Sequence, residues 1–207
     1  VTREGVIERL KRAENEERRV RRGVAVERRG DHNLGGDDMR HPGPLVPAAV
    51  LVPLVDRDDA MTVLLTKRSA NLNDHAGQVS FPGGRIEPDD PDVESAALRE
   101  AFEEVGLPPE QVEPVGRLDD YETRTGFLVY PIVGIVTPPF TVRPDPFEVA
   151  DVFEVPLSFV LEPRNYRIES RDFKGRPRQF YVLPYEDHYI WGATAHMLVN
   201  LRDVLGG

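Results

Sequence analysis

Apolar and polar positions alternate along this chain in two rhythms, and the points where the rhythm changes divide it into elements. Residues 2 to 20 carry a helical pattern, and a polar, Gly-rich stretch, RRGDHNLGGDDMRHPGP at 28 to 44, reads as a linker or lid. AAVLVPLV at 48 to 55 and TVLLTKR at 62 to 68 read as neighbouring strands joined by the turn DRDDA, and QVSFP at 78 to 82 leads into a loop. A helix is expected from 91 to 105, with Asp90 as its N-cap, Pro91 at its first position and Gly106 followed by Pro108-Pro109 as its stop. VEPVGRLDDYET and GFLVYPIVGIV read as strands around a turn near Arg124, followed by a proline-rich connection at 138 to 146. EVADVFEVPL carries a strand ending in a short helix at about 156 to 161. YRIESRDF and RQFYVLPYE form a hairpin around Lys174-Gly175, and HYIW leads into a closing helix at 193 to 204. Strands and helices mixed in this order favour an α+β fold over repeated βαβ units.

Composition narrows the class. With 207 residues, 40% of them hydrophobic, the chain can bury one substantial core, and 30% charged residues suit a protein in water. The longest apolar stretch, LVPAAVLVPLV, falls short of the roughly 20 residues of a membrane span. The amino-terminal VTREGVIERLKRAENEERR has no apolar centre of a signal peptide, so no membrane association and a cytoplasmic location are the expectation. There is no Cys, which removes disulfides and thiolate metal sites. A net charge of −10 opposes general nucleic-acid binding but is compatible with an enzyme that handles phosphates through cations. Arg9, Lys11, Arg12, Arg18, Arg19, Arg21, Arg22, Arg28 and Arg29 alternate with Glu14, Glu16, Glu17 and Glu27, as in a solvated helix with i,i+4 ion pairs; a polyanion-binding arm is the other reading.

The chemistry concentrates in REAFEEVGL. At 100° per residue, Glu100, Glu103 and Glu104 fall within about 100° of arc, and Leu98, Ala101, Phe102 and Val105 are expected to cover the opposite, core-facing side. Three carboxylates on one helical face repel one another, a cost that a hard, oxygen-seeking divalent cation reverses. A plain solvated acidic face gives the same pattern.

The run from Gly84 to Leu107 resembles the Nudix box, G-x5-E-x7-R-E-U-x-E-E-x-G-U with U apolar. Its second half matches completely, while Asp90 stands in place of the first Glu and eight residues separate it from Arg99. Asp90 is read here as the helix cap. Immediately upstream, LLTKRSANLNDHAGQVSFPGG at 64 to 84 is similar to the additional signature of coenzyme A pyrophosphatase-type Nudix proteins. Every fixed position is present: Leu64, Leu65, Thr66, Arg68, Ser69, Leu72, His75, Gly77, Val79, Phe81, Pro82, Gly83 and Gly84. Asn73 replaces a residue that is often basic, and the box lengthened by one residue is itself a habit of that subfamily.

The resemblance implies a Nudix α/β/α sandwich with a mixed central sheet between helices, formed by residues 45 to 207 behind an extension at 1 to 44. It implies hydrolysis of a diphosphate bond with Mg2+ or Mn2+ held by Glu100 and Glu104, Glu103 serving as third ligand or through water. Arg99 would orient a carboxylate. Glu148 matches a post-strand acidic residue that serves as general base in some members, and His75 could contact phosphate or carry a proton. Gly83 and Gly84 would admit phosphates close to the backbone, and Lys67 and Arg68 would meet the anionic end of the substrate. Trp191-Gly192-Ala193-Thr194-Ala195 resembles a closing IWGxTA segment that packs the last helix. The substrate implied is coenzyme A or a thioester of it. Another nucleoside diphosphate derivative, such as NADH, an ADP-sugar or a nucleoside triphosphate, stays open, as does a non-catalytic nucleotide-binding module.

Overall fold

The strands find their partners through one largely buried segment. In the computed structural model, which describes residues 1–21, 28–36, 39–70, 76–173 and 175–206, β2 (Val46–Asp56) is covered on both faces, which is why it reads as a nearly unbroken apolar run. Its side chains alternate between two cores: Ala49, Leu51 and Val55 point to one, Ala48, Val52 and Leu54 to the other. Each fully buried Leu or Val contributes about 1.5–3 kcal/mol.

The remaining elements follow in chain order: α1 (Arg3–Arg21), β1 (Arg29–Gly30), α2 (His32–Gly35), then β2, β3 (Met61–Arg68), β4 (Val79–Ser80), β5 (Gly83–Arg85) and α3 (Val93–Val105). After these come β6 (Val112–Arg117), β7 (Tyr121–Glu122), β8 (Phe127–Val136), β9 (Val149–Pro156), α4 (Leu157–Leu161), β10 (Arg167–Phe173), β11 (Arg176–Tyr185), β12 (His188–Trp191) and α5 (Gly192–Gly206). The main sheet runs β1-β7-β8-β2-β3-β4, with β5 added to β2, β6 to β8 and β9 to β3. β2 and β8 are parallel from Val46↔Phe127 to Val55↔Val136, whereas β3 lies antiparallel to β2 and β9, so the sheet is mixed.

α3 covers one face with Ala96, Ala97, Ala101 and Val105. Val6 and Leu10 of α1, Leu157 and Val160 of α4, and Ala195, Leu198 and Leu201 of α5 pack on the other. A second, antiparallel sheet, β10-β11-β12, joins this side through Leu183 and Ile190. The result is the expected α+β class, a mixed sheet between helices. Thr194 at the start of α5 donates to the Val79 carbonyl at 3.0 Å, holding the closing helix to β4.

Two expectations change. The 28–44 stretch is not a bare linker: β1 pairs in parallel with β7, and Tyr121 Oη donates to Asp31 Oδ1 at 2.7 Å, with the Asp31 Oδ2 atom accepting from the Arg124 N–H. By accepting from both Tyr121 and Arg124, the Asp31 carboxylate ties this polar segment to the sheet. The approach to the helix is also not a free loop, because Gly83 and Gly84 pair with Val50 and Ala49 as β5. Of the hairpin turn Lys174-Gly175, Lys174 lies outside the described residues.

Candidate active site

The helix α3 begins one turn-half later than its sequence suggests. Asp92, not Asp90, is the N-cap: its side chain accepts from the Ser95 N–H at 2.7 Å, and Pro91 therefore precedes the helix. Asp90 is taken by Arg99, whose Nε and Nη2 donate to its two carboxylate oxygens at 2.9 Å each, and it also accepts the Glu87 N–H. A bidentate guanidinium contact outcompetes one capping hydrogen bond, and a proline disfavours the helical conformation for the residue before it. Arg99 and these hydrogen bonds keep the Asp90 carboxyl below its usual range. Gly106 ends the helix in the left-handed conformation, φ 68°, with its N–H turned back on Ala101 and Phe102.

The acidic and apolar faces of α3 are not opposite. Ala97, Ala101 and Glu104 lie within about 60° of arc, and all three are buried. Glu104 is 5% exposed, whereas Phe102, expected in the core, is 53% exposed. The three small alanines bring the helix axis close to β2 and β5, and that closeness sinks Glu104 between helix and sheet.

Around Glu104 the pieces of the two sequence signatures converge. The Gly83 N–H donates to Glu104 Oε2 at 3.1 Å, and Arg68 Nη1 stands 3.8 Å from Oε1. Burial raises the Glu104 pKa to about 7; Gly83 and Arg68 oppose that rise, and the fields of Glu148 and Glu100 add to it. Glu100 is raised as well, first by burial, with Arg99 opposing and Glu103 and Glu148 reinforcing. The Glu100 carboxylate lies against Gly84: a Cβ there would come within 2.6 Å of its Cδ and Oε2. At Gly83 a Cβ would meet the Ala49 carbonyl oxygen at 2.5 Å. Both glycines are therefore required by packing, one by the acidic side chain and one by the neighbouring strand.

Arg99 reaches acceptors on four residues. Besides Asp90, Nη1 donates to Glu100 Oε1 at 2.9 Å and to Glu103 Oε2 at 3.0 Å, and Nη2 to the Arg85 carbonyl at 3.1 Å. Glu103, with its side chain 57% exposed, is drawn toward solvent and Arg99, away from Glu104.

Glu148 arrives from the other side of the chain. The connection after β8 is pinned to the end of α3 by two main-chain bonds, Arg143 N–H to the Val105 carbonyl at 2.7 Å and Asp145 N–H to the Glu104 carbonyl at 2.9 Å. Asp145 then organises a tight turn, accepting from Phe147 through its side chain and from Glu148 and Val149 through its carbonyl. The Glu148 carbonyl accepts from Ser69 N–H at 2.7 Å, beside Arg68 and at an irregularity in the β3–β9 register. Glu148 thus faces the pair Glu100 and Glu104 closely enough to shift both.

Other expected residues do not join this group. Strand alternation puts Lys67 on the face of β3 opposite to Arg68, across from Val79 and Asp151. His75 lies in residues 71–75, outside the described residues. Asp90 and Asp145 are the participants that reading the sequence missed, Asp90 because its position after Gly84 was set aside in favour of capping.

The donor set fits a hard divalent cation: two carboxylates held side by side at a cost of burial and mutual repulsion, with a third carboxylate facing them and no thiolate or imidazole among the described partners. Among the described residues no three acidic or imidazole side chains converge into a ready-made cage. Glu100 and Glu103 are held by Arg99, so oxygen donors would be completed by rotation of these side chains, water and substrate phosphate.

An acidic helix packed by alanines on a mixed sheet, entered through a Gly-Gly strand and locked by an Arg–Asp pair, stands at the centre of the region that matches the NUDIX domain, residues 45–174: the chain belongs to the Nudix family and is a Nudix hydrolase. It is 42% identical over 165 residues to the protein named uncharacterized Nudix hydrolase NudL of Photorhabdus laumondii, a match covering 80% of this chain and 84% of that one. The NudL of Citrobacter koseri is 43% identical over 159 residues, 77% of this chain and 82% of its own. Among solved structures it is similar to the Nudix hydrolase RenU of M. smegmatis, with 25% identity, a TM-score of 0.47, and coverage of 57% of this chain and 72% of that one. Nudix hydrolases generally need divalent metal ions. Among the described residues no helix is long and apolar enough to cross a membrane.

Proposed function

We propose that this enzyme hydrolyses the diphosphate of coenzyme A or its thioesters, releasing 3′,5′-ADP and 4′-phosphopantetheine or its acyl form. One observation supports this reading above others: Arg68 and Gly83, near the two ends of the coenzyme A-type signature, both act on Glu104 of the Nudix box. Two residues of the signature are thus partners of the acidic centre.

Glu100 and Glu104 would hold Mg2+ or Mn2+, with Glu103 completing the set through water. The bound cation would offset charge on the diphosphate and acidify water. Arg99 keeps Glu100 oriented while its own position is fixed by Asp90. Glu148 takes a proton from the attacking water as the P–O bond to the leaving phosphate breaks, and its reach is set by the turn at Asp145. Gly84, without a side chain, leaves the phosphate path beside Glu100 open. Arg68 is the cation available to the substrate at this site, and Lys67 is not assigned to it. The reaction occurs in water, with a cytoplasmic location expected.

Product identification after incubation with coenzyme A and Mg2+ tests the assignment. 3′,5′-ADP and 4′-phosphopantetheine are the expected products, and cleavage of ADP-ribose with coenzyme A untouched would overturn it.

A further inference from the structure

Phe147 stands immediately before Glu148 and is 79% exposed, the most exposed of the large hydrophobic side chains among the described residues. A single exposed apolar residue is common on protein surfaces and needs no explanation by itself. Phe147 differs in how it is held. Its N–H is bound by the Asp145 side chain at 2.9 Å, while the next two N–H groups bind the Asp145 carbonyl at 3.1 and 2.8 Å. Asp145 is in turn fixed to the Glu104 carbonyl, and Glu148 to Ser69. The main chain under the ring is thus connected to the acidic helix on one side and to the end of β3 on the other. An aromatic ring carried on so constrained a turn, next to the residue facing Glu100 and Glu104, is an exposed apolar plane with a fixed backbone origin beside a strongly acidic, polar centre.

A nucleoside diphosphate derivative presents two things to such a site: phosphates for the carboxylate centre, and a flat base a few ångströms further along. A ring whose backbone is already fixed has only its two side-chain torsions to lose on stacking a base. We infer that Phe147 is the base-stacking residue of this active site and selects substrates carrying a purine, the adenine ring lying on its exposed face while the diphosphate lies at Glu100, Glu104 and Glu148. This inference rests on the proposed cleavage of an adenine-containing diphosphate at that site. It adds a residue that discriminates by affinity for the base and leaves bond cleavage to the acidic group.

Base–aromatic stacking is worth enough for about a tenfold change in affinity or more. In Phe147→Ala the KM for coenzyme A is expected to rise about tenfold with kcat within about twofold, while turnover of a dialkyl diphosphate lacking any base is unchanged. Phe147→Trp should retain the wild-type KM, and Phe147→Leu, apolar but not planar, should behave like the Ala variant. Calorimetric titration with 3′,5′-ADP compares the same proteins without turnover. Weaker binding by the Ala variant supports stacking even if the wild type refuses coenzyme A, which is the separate failure of the proposed substrate. Equal 3′,5′-ADP affinity in wild type and Ala variant, or no binding by either, overturns the stacking role. So does an equal loss on the base-free diphosphate.

Discussion

Replacing Glu104 by Gln should make the protein more stable and nearly inactive. The carboxyl is buried between α3 and the sheet, and burial lifts its pKa from 4.5 to about 7 despite the Gly83 N–H and Arg68. The folded protein therefore keeps this proton up to about pH 7, whereas the unfolded chain releases it near 4.5. Between those values the folded state binds more protons, so the favourable contribution present below pH 4.5 is lost as pH rises and is gone above about 7. At 1.36 kcal/mol per pH unit, the whole loss is about 3 kcal/mol. Gln is of the same shape, still offers an oxygen to Gly83 and carries no charge, so it should escape that loss. Urea unfolding of wild type and variant at pH 5 and pH 8, with a chelator present, measures the difference. Part of that loss has occurred by pH 5, so the variant should gain about 2.5 kcal/mol over wild type on going from pH 5 to pH 8, while its kcat with Mg2+ falls at least about 100-fold. Parallel pH dependence of the two proteins, or a variant that unfolds more readily at pH 8, would refute the account of Glu104 as a charge held against its environment.

Other outcomes follow from the same geometry. Gly84→Ala puts a methyl carbon where Glu100 now lies and should lower kcat at least about tenfold with the fold retained, as read by assay and circular dichroism. Glu148→Gln should lower kcat by about 10²–10⁴, with calorimetric Mn2+ binding much less affected than in Glu100→Gln. Asp90→Asn removes one of the oxygens that fix Arg99 and should raise the metal concentration needed for half-maximal rate; an unchanged metal dependence would show that Arg99 is held well enough by Glu100 and Arg85 alone.

What could be read from the sequence was whatever local spacing decides. The apolar runs of β2 and β3, the turn DRDDA, the hairpin of β10 and β11, and the Gly106 stop depend on neighbours a few residues away, and their elements formed where expected. Asp90 illustrates the limit: two aspartates two residues apart can each cap a helix, and the choice was made by Arg99, nine residues on, whose fork prefers a carboxylate. Glu104 illustrates another. A helical wheel separates acidic from apolar positions, but the depth to which each sinks is set by how closely the helix can approach, here by Ala96, Ala97 and Ala101. Lys67 and Arg68 are adjacent in sequence and both basic, yet the pleat sends only one toward α3. The tie between Glu148 and this group was invisible to spacing, since it runs through main-chain bonds from Asp145 to the end of the helix.

That last connection divides the segment after β8 into two parts with different freedom to vary. From Thr137 to Val142 the chain is held only at Gln111 and by Phe140 and Val142 against the core before its first main-chain bond to the helix end, so residues added between those anchors would leave the reacting groups in register. From Arg143 to Val149 every added residue would slide the glutamate along its neighbours. New loops for new substrates can thus be grown beside a hydrolytic centre whose spacing is carried by the backbone itself.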